Sequence, residues 1–179
     1  ITKKEAFDVL RNNKFIDEIY IIAKNIKSKL KKGTYDLVFS LDDDYEACEL
    51  ASYAGSKKIV GAYLKDNKKR YTEDSSQWFD MGLISRFGKA RADLLKIKNK
   101  KTYQEIIYKI LNLEYKKQEP ILNLSKKDLD FGRKFAKKNI IKKTDIAIGI
   151  NTGAGGRWED KKLSEEKTAE LVDKLNKVK

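Results

Sequence analysis

The sequence predicts an α/β fold, and three stretches carry the prediction. Asp36–Leu41 is a largely apolar run of strand length, as expected of a strand covered on both faces of a parallel sheet. A helical pattern from Tyr45 to Tyr53, closed by Gly55, separates it from a second strand-like run at Lys58–Leu64. Strand, helix and strand in that order predict a parallel crossover. A third apolar run, Ile146–Ile150, leads into the glycine-rich Asn151–Gly156.

The remaining elements follow in chain order. Thr2 and Glu5 have the spacing of a capping box and predict a short helix to about Asn12. Phe15–Ile22 is rich in β-branched and aromatic residues and reads as a strand. Asn25–Lys32 reads as a basic helix stopped at Gly33. Asp66-Asn67 predicts a hairpin turn after the Lys58–Leu64 strand. Helical patterns cover about Met81–Lys98 and Thr102–Leu113, and the polar stretch Lys116–Pro120 reads as a domain boundary. Beyond it, Ile121–Leu124 suits a short strand. Ser125 with Asp128 opens a helix to about Lys138, and Ser164 is placed to cap a last helix with Glu165 and Glu166 in its first turn.

The chain has 179 residues, enough for one ordinary domain or parts of two. It opens at Ile1 without Met and stops at Lys179 inside a helical pattern, so both ends are expected to lie within a longer protein. No run is long and apolar enough for a membrane span, and no secretory leader is visible. A lone cysteine, Cys48, excludes an internal disulfide, which makes the cytoplasm the expected compartment. The net charge of +13 attracts polyanions such as nucleic acid, anionic membrane or phosphorylated glycolipid, although the charges are spread along the chain as on a solvated surface. His is absent, so acid–base chemistry and metal ligation must use other side chains.

Two places have the residue types for chemistry. In Asn151–Gly156, glycines would let backbone N–H groups approach an anion, with Arg157, Lys161 and Lys162 nearby; an ordinary surface loop explains the same composition. The stretch lacks the Gly-Lys-Ser/Thr of a P-loop and the spacing of a dinucleotide fingerprint. Asp42, Asp43 and Asp44 follow a strand, where carboxylates could hold Mg²⁺ or sugar hydroxyls, or could complement the dipole of the helix that follows. Cys48 sits among Ala47, Leu50 and Ala51 as a core residue would. Trp78, Phe79 and Met81 suit either an acceptor pocket or the core.

The order of these pieces resembles glycosyltransferase family 9, the lipopolysaccharide heptosyltransferase family. Tyr35–Asp42, then Leu50–Gly55 with its Ala-Gly step, then Lys58–Ala62 look like the family's N-terminal domain. The stretch from Ala92-Asp93 through Asn99–Tyr103 to Glu105-Ile106 resembles a helix pair of one branch. Ile148–Gly155, followed by Arg157-Trp158 and Lys161–Ser164, is similar to the family's most specific motif. Thr152 departs from it where many members have Pro, and Leu163-Ser164 where they have Trp-Pro.

The resemblance implies a GT-B architecture of two Rossmann-like domains. Residues 1–118 would be part of the acceptor-side domain, and 119–179 the start of the nucleotide-sugar domain. It further implies inverting, metal-independent transfer of a sugar, heptose in the type members, from a nucleotide-sugar such as ADP-heptose, with no other cofactor. By motif match Lys161 would act catalytically at the departing diphosphate. Thr152, Gly153, Ala154 and Gly155 would supply hydroxyl and backbone contacts to it. Lys65, Lys68, Lys69 and Arg70 would attract a phosphorylated glycolipid or glycan acceptor at the inner membrane face. The family's Gly-Asp loop, with its base, and its later donor-binding segment match nothing in residues 1–179, so this chain is expected to be inactive alone. Another nucleotide-sugar enzyme on the same scaffold, such as an epimerase, is a competing reading. So is a non-enzymatic basic module for nucleic acid or another polyanion, but no nucleic-acid motif is present.

Overall fold

The computed structural model describes residues 1–30, 33–82, 87–153 and 161–177. The chain is mixed α/β and divides into two compact units, Ile1–Leu124 and Ser125–Lys179.

In the first unit, β1 (Tyr35–Ser40), α3 (Tyr45–Ala54) and β2 (Ser56–Lys65) form the expected strand–helix–strand unit. Preceding them are a 3₁₀ turn at Lys4–Ala6, α1 (Phe7–Leu10) and α2 (Ile26–Lys29). β1 and β2 pair in parallel, with Val38 opposite Ile59, Phe39 opposite Val60 and Ser40 opposite Gly61. β2 then turns into β3 (Lys68–Tyr71), antiparallel, giving the order β1-β2-β3. The turn residues Asp66 (φ 52°) and Asn67 (φ 55°) are both left-handed. This is the type I′ geometry that matches strand twist, and Asp and Asn tolerate it better than other side chains.

Among the described residues, three small apolar clusters hold the unit. Ile26 and Leu30 meet Leu50 and Ala54 of α3, with Val38 of β1 packed against them. Cys48 joins Ala62 and Phe79, the latter from α4 (Ser76–Asp80). Val60 meets Ile106 and Ile110 of α6 (Tyr103–Ile110), a helix that follows α5 (Gly88–Lys98). Polar side chains tighten the same contacts. The Ser52 hydroxyl donates to the Leu64 carbonyl (2.8 Å) and accepts from its N–H (2.7 Å), tying α3 to β2. At α6, Thr102 and Glu105 form a reciprocal capping box, and the bonds from Thr102 hold the Glu105 carboxyl below its ordinary pKa.

The second unit contains α7 (Lys126–Lys138) and α8 (Glu165–Asn176). Ser125 and Asp128 cap α7 reciprocally, and the Ser164 hydroxyl accepts from Lys167 N–H (3.2 Å) at α8. Neither helix has a buried residue. Leu129, Phe131 and Phe135 of α7 are all exposed.

Several sequence-based elements differ. Phe15–Ile22 is not a strand; its ladder is limited to one parallel bridge between Thr2 and Ile21. Thr2 is engaged there by its backbone, donating to Tyr20 O and accepting from Ile22 N–H (2.9 Å each). The first helical turn therefore starts from Lys3, without the predicted Thr2–Glu5 capping box. Ile121–Leu124 and Ile146–Ile150 are likewise irregular, and Ile146 is 90% exposed. Strand preference expresses packing against a neighbouring strand, and among the described residues these runs have none. The predicted Met81–Lys98 helix begins only at Gly88. Residues 83–86 lie outside the described residues. The glycines at 82 and 88 lower helix propensity on either side of them.

β1 and β2 lie close together at Gly61 (φ 117°), where an added Cβ would lie 1.8 Å from the Ser40 carbonyl oxygen. Gly61→Ala should therefore force β1 and β2 apart and abolish the cooperative unfolding transition seen by circular dichroism in urea. An unchanged midpoint would show that the pairing at Ser40 is not needed for folding.

Candidate functional site

One cluster of polar groups in the first unit lies where β1 ends. Open parallel sheets receive ligands at the carboxyl ends of their strands, because the chain leaves the sheet there and exposes backbone and loop side chains. Ser40 closes β1, and Asp42, Asp43 and Asp44 follow. The Asp42 carboxylate accepts from Asp44 N–H (3.1 Å). Asp43 accepts from the Tyr71 hydroxyl through its carboxylate (3.1 Å) and from Lys69 Nζ through its carbonyl (3.0 Å). Asp44 pairs with Lys3 at 3.6 Å. Asp44 occupies the N-cap position of α3 but makes no side-chain cap bond, so the acidic run chiefly ties neighbouring segments together. Among the described residues, these carboxylates join no group of three or more side chains able to hold a metal ion.

The basic quartet lies on the hairpin beside this end. Lys65 and Lys68 are register partners at the turn, and Arg70 lies opposite Tyr63. Side chains alternate along a strand, so Lys69 shares a face with Tyr71, and Lys68 shares the other with Arg70. The contacts agree, since Lys69 and Tyr71 both reach Asp43. All four cations are exposed, but they are divided between two faces.

The aromatic and thiol candidates belong to the core. Trp78 Nε1 donates to the Leu41 carbonyl (3.0 Å), and its ring meets Tyr103 edge-on at 5.5 Å. Phe79 lies 4.7 Å from the Tyr71 ring, and Met81 packs on the Val60–Ile106–Ile110 cluster. Cys48 is fully buried, and that burial pushes its thiol above the ordinary value.

In the second unit, Thr152 and Gly153 are exposed, and the Gly153 N–H donates to the Asn151 side chain at 3.0 Å. This bond orders the turn locally and uses one of the donors expected to face an anion. Lys161 is exposed shortly before α8. Ala154 and Gly155, with Arg157 and Trp158, lie outside the described residues.

A feature the sequence reading missed is a groove of about 830 Å³ along β1, walled by Thr2, Tyr20, Ile22, Leu50 and Ala51 and rimmed by Asp17, Glu18 and Asp42. Tyr20 donates to Glu18 on this rim, which raises the Tyr20 pKa. The sequence signal was the apolar run of β1 itself, which implies cover on both faces. No protein-family model, curated protein or solved structure matches this chain.

The buried thiol gives a direct check. In the native chain Cys48 should resist alkylation at pH 8 and react at the ordinary thiol rate in urea. Its raised pKa in the fold also means that the unfolded chain ionises first, so this group removes stability as pH rises above about 8.5. Fast native alkylation, followed by mass spectrometry, would place Cys48 outside the core.

Proposed function

We propose that this chain belongs to a glycosyltransferase that moves a sugar from a nucleotide-sugar to a phosphorylated glycolipid or glycan, in the manner of the lipopolysaccharide heptosyltransferases. The observation that carries the reading is the β1–α3–β2 unit, in which the Tyr35–Ala62 stretch that resembles family 9 folds as a parallel crossover. It ends in a polar cluster flanked by cations. In this reading the first unit is part of the acceptor-side domain of a GT-B enzyme, and the second is the start of the donor domain.

Inverting transfer needs a carboxylate base to take the proton of the attacking acceptor hydroxyl. It also needs positive charge or N–H donors where the diphosphate departs. Asp42, Asp43 and Asp44 have structural partners, so the base is assigned to polypeptide outside residues 1–179. Lys161 is assigned to the leaving diphosphate, with Thr152, Gly153, Ala154 and Gly155 as its companions. Lys65, Lys68 and Arg70 attract the acceptor's phosphates from one face of the hairpin. Lys69 is assigned the same long-range role, although its ammonium also bonds the Asp43 carbonyl. Among the described residues no helix is long and apolar enough to cross a membrane. Acceptor contact is therefore assigned to peripheral charge attraction, at about 1 kcal/mol for each cation close to an anionic surface.

Calorimetry with ADP- and UDP-sugars should show binding to the chain that Lys161→Ala weakens about tenfold, or about 1.4 kcal/mol. A labelled sugar should not appear in acceptor with this chain alone. Turnover by the chain itself would overturn the assignment of the base elsewhere, and conversion of free nucleotide-sugar without transfer would favour an epimerase. Neutralising Lys65, Lys68, Lys69 and Arg70 together should reduce binding to vesicles of phosphorylated glycolipid at low salt. Unchanged vesicle binding removes the acceptor role from the hairpin. Nucleic-acid binding that falls steeply with salt, without nucleotide-sugar binding, would replace the enzyme reading.

A further inference from the structure

Another cleft of the first unit, of about 360 Å³, lies at the end of α6 and is lined by Lys101, Glu105, Lys109, Asn112, Leu113 and Tyr115. The helix that forms it is fixed from beneath, where Ile106 and Ile110 are buried on Val60. Glu105 and Lys109 have the i, i+4 spacing that ordinarily makes an ion pair. Here Glu105 instead turns back to the Thr102 N–H at 2.6 Å, as its half of the capping box. Among the described residues, neither Lys109 nor Lys101 forms an ion pair, and both line the cleft.

The backbone prepares the same wall. Asn112 N–H donates to the Lys109 carbonyl (3.0 Å) and Leu113 N–H to the Tyr108 carbonyl (2.8 Å), with Asn112 left-handed at φ 54°. This is the Schellman closure of a helix, in which Gly is the usual residue at the left-handed position. It occupies carbonyls of the last turn, which reduces the repulsion that a helix C-terminus exerts on an anion. Asn in place of Gly also sets a carboxamide on the cleft wall, where the turn itself needs no side chain. The Tyr115 ring is held edge-on against Tyr108 at 5.2 Å, and Leu113 adds exposed apolar surface. Two cations, an amide, a phenol and an apolar patch thus share one small concavity.

We propose that this cleft binds a small, soluble phosphate monoester with a hydroxylated body, the chemical class of a sugar phosphate. Lys101 and Lys109 hold the phosphate through charge-assisted N–H donors. The Asn112 amide and the Tyr115 hydroxyl exchange hydrogen bonds with the ligand's hydroxyl groups, while Leu113 and the Tyr115 ring meet its C–H surface. The volume equals that of about twelve waters at roughly 30 Å³ each, and lies near the lower end of small-ligand sites, which selects a compact ligand. The cleft uses none of the residues assigned to the donor or the acceptor, so this site and the sugar-transfer reading can fail separately.

The probe is glucose 6-phosphate, titrated into the whole chain. Calorimetry should show saturable binding, and amide NMR spectra should show the Asn112 and Leu113 signals moving with the same saturation. Lys101→Gln combined with Lys109→Gln, at exposed positions, should keep the circular dichroism spectrum and weaken binding about tenfold or more, as the loss of charged hydrogen bonds implies. Asn112→Gly preserves the left-handed turn, so it should keep the unfolding midpoint and still weaken binding. Inorganic phosphate and glucose should each bind more weakly than the monoester. Neutralising the hairpin quartet, or Lys161→Ala, should leave this binding unchanged, and vesicles bearing phosphatidic acid should not compete. No saturable binding, signals moving elsewhere, or full affinity in the double lysine variant or in Asn112→Gly would each overturn the proposal. Equal binding of inorganic phosphate would also overturn it, leaving a bare anion site. So would competition by the vesicles, which would give the cleft to a membrane-borne phosphate, or loss of binding with the hairpin or Lys161 variants.

Discussion

The first unit depends on the close parallel pairing of β1 with β2, and that pairing depends on the missing side chain at residue 61. The Gly61 backbone lies so near the Ser40 carbonyl that any Cβ would overlap it. The same residue is held from the other side, where Thr72 Oγ1 accepts from its N–H (2.8 Å) and Thr72 N–H donates to its carbonyl (3.0 Å). With the strands fixed there, α3 can cover one face through Leu50 and Ala54, while α6 brings Ile106 and Ile110 onto Val60. Ser40 and the acidic run then emerge beside the basic hairpin. The position of the polar cluster is thus a consequence of backbone contact between two strands.

Charge works at two ranges in this molecule. At short range, cations and carboxylates hold segments together: Lys69 and Tyr71 fasten the hairpin to Asp43, and Lys3 fastens the amino-terminal turn to Asp44. Such exposed contacts each contribute little stability, because water competes with them and side-chain freedom is lost. At long range the excess of 40 Lys and Arg over 27 Asp and Glu makes a field that draws anions. The two roles coexist in one hairpin, where Lys69 faces the acidic loop and Lys68 with Arg70 faces away. Acidic residues are concentrated at the rim of the β1 groove, which gives that surface a local sign opposite to the chain as a whole.

The elements legible in the sequence were those whose determinants are local. Ser125 with Asp128, and Ser164, cap helices where their spacing and neighbours predict, because a cap needs only a turn of chain, and Thr102 caps the helix at the start of its predicted pattern. Asp66-Asn67 forms its tight turn for the same reason. The failures share another cause. Phe15–Ile22, Ile121–Leu124 and Ile146–Ile150 have strand composition, but a strand exists only when a second strand satisfies its N–H and C=O groups. The Thr2–Glu5 box failed similarly, because the Thr2 backbone is taken by Ile21's neighbours.

By itself, the sequence determined the α/β class, the β1–α3–β2 order, the hairpin, the caps at Ser125 and Ser164 and the basic balance, since each follows from spacing or composition within a few residues. Only the tertiary structure decided that Trp78, Phe79, Met81 and Cys48 form core. It alone set β1 beside a groove whose other walls come from distant segments. Those outcomes depend on which distant segments meet. No window along the chain contains that information, because burial and pairing belong to both partners of a contact.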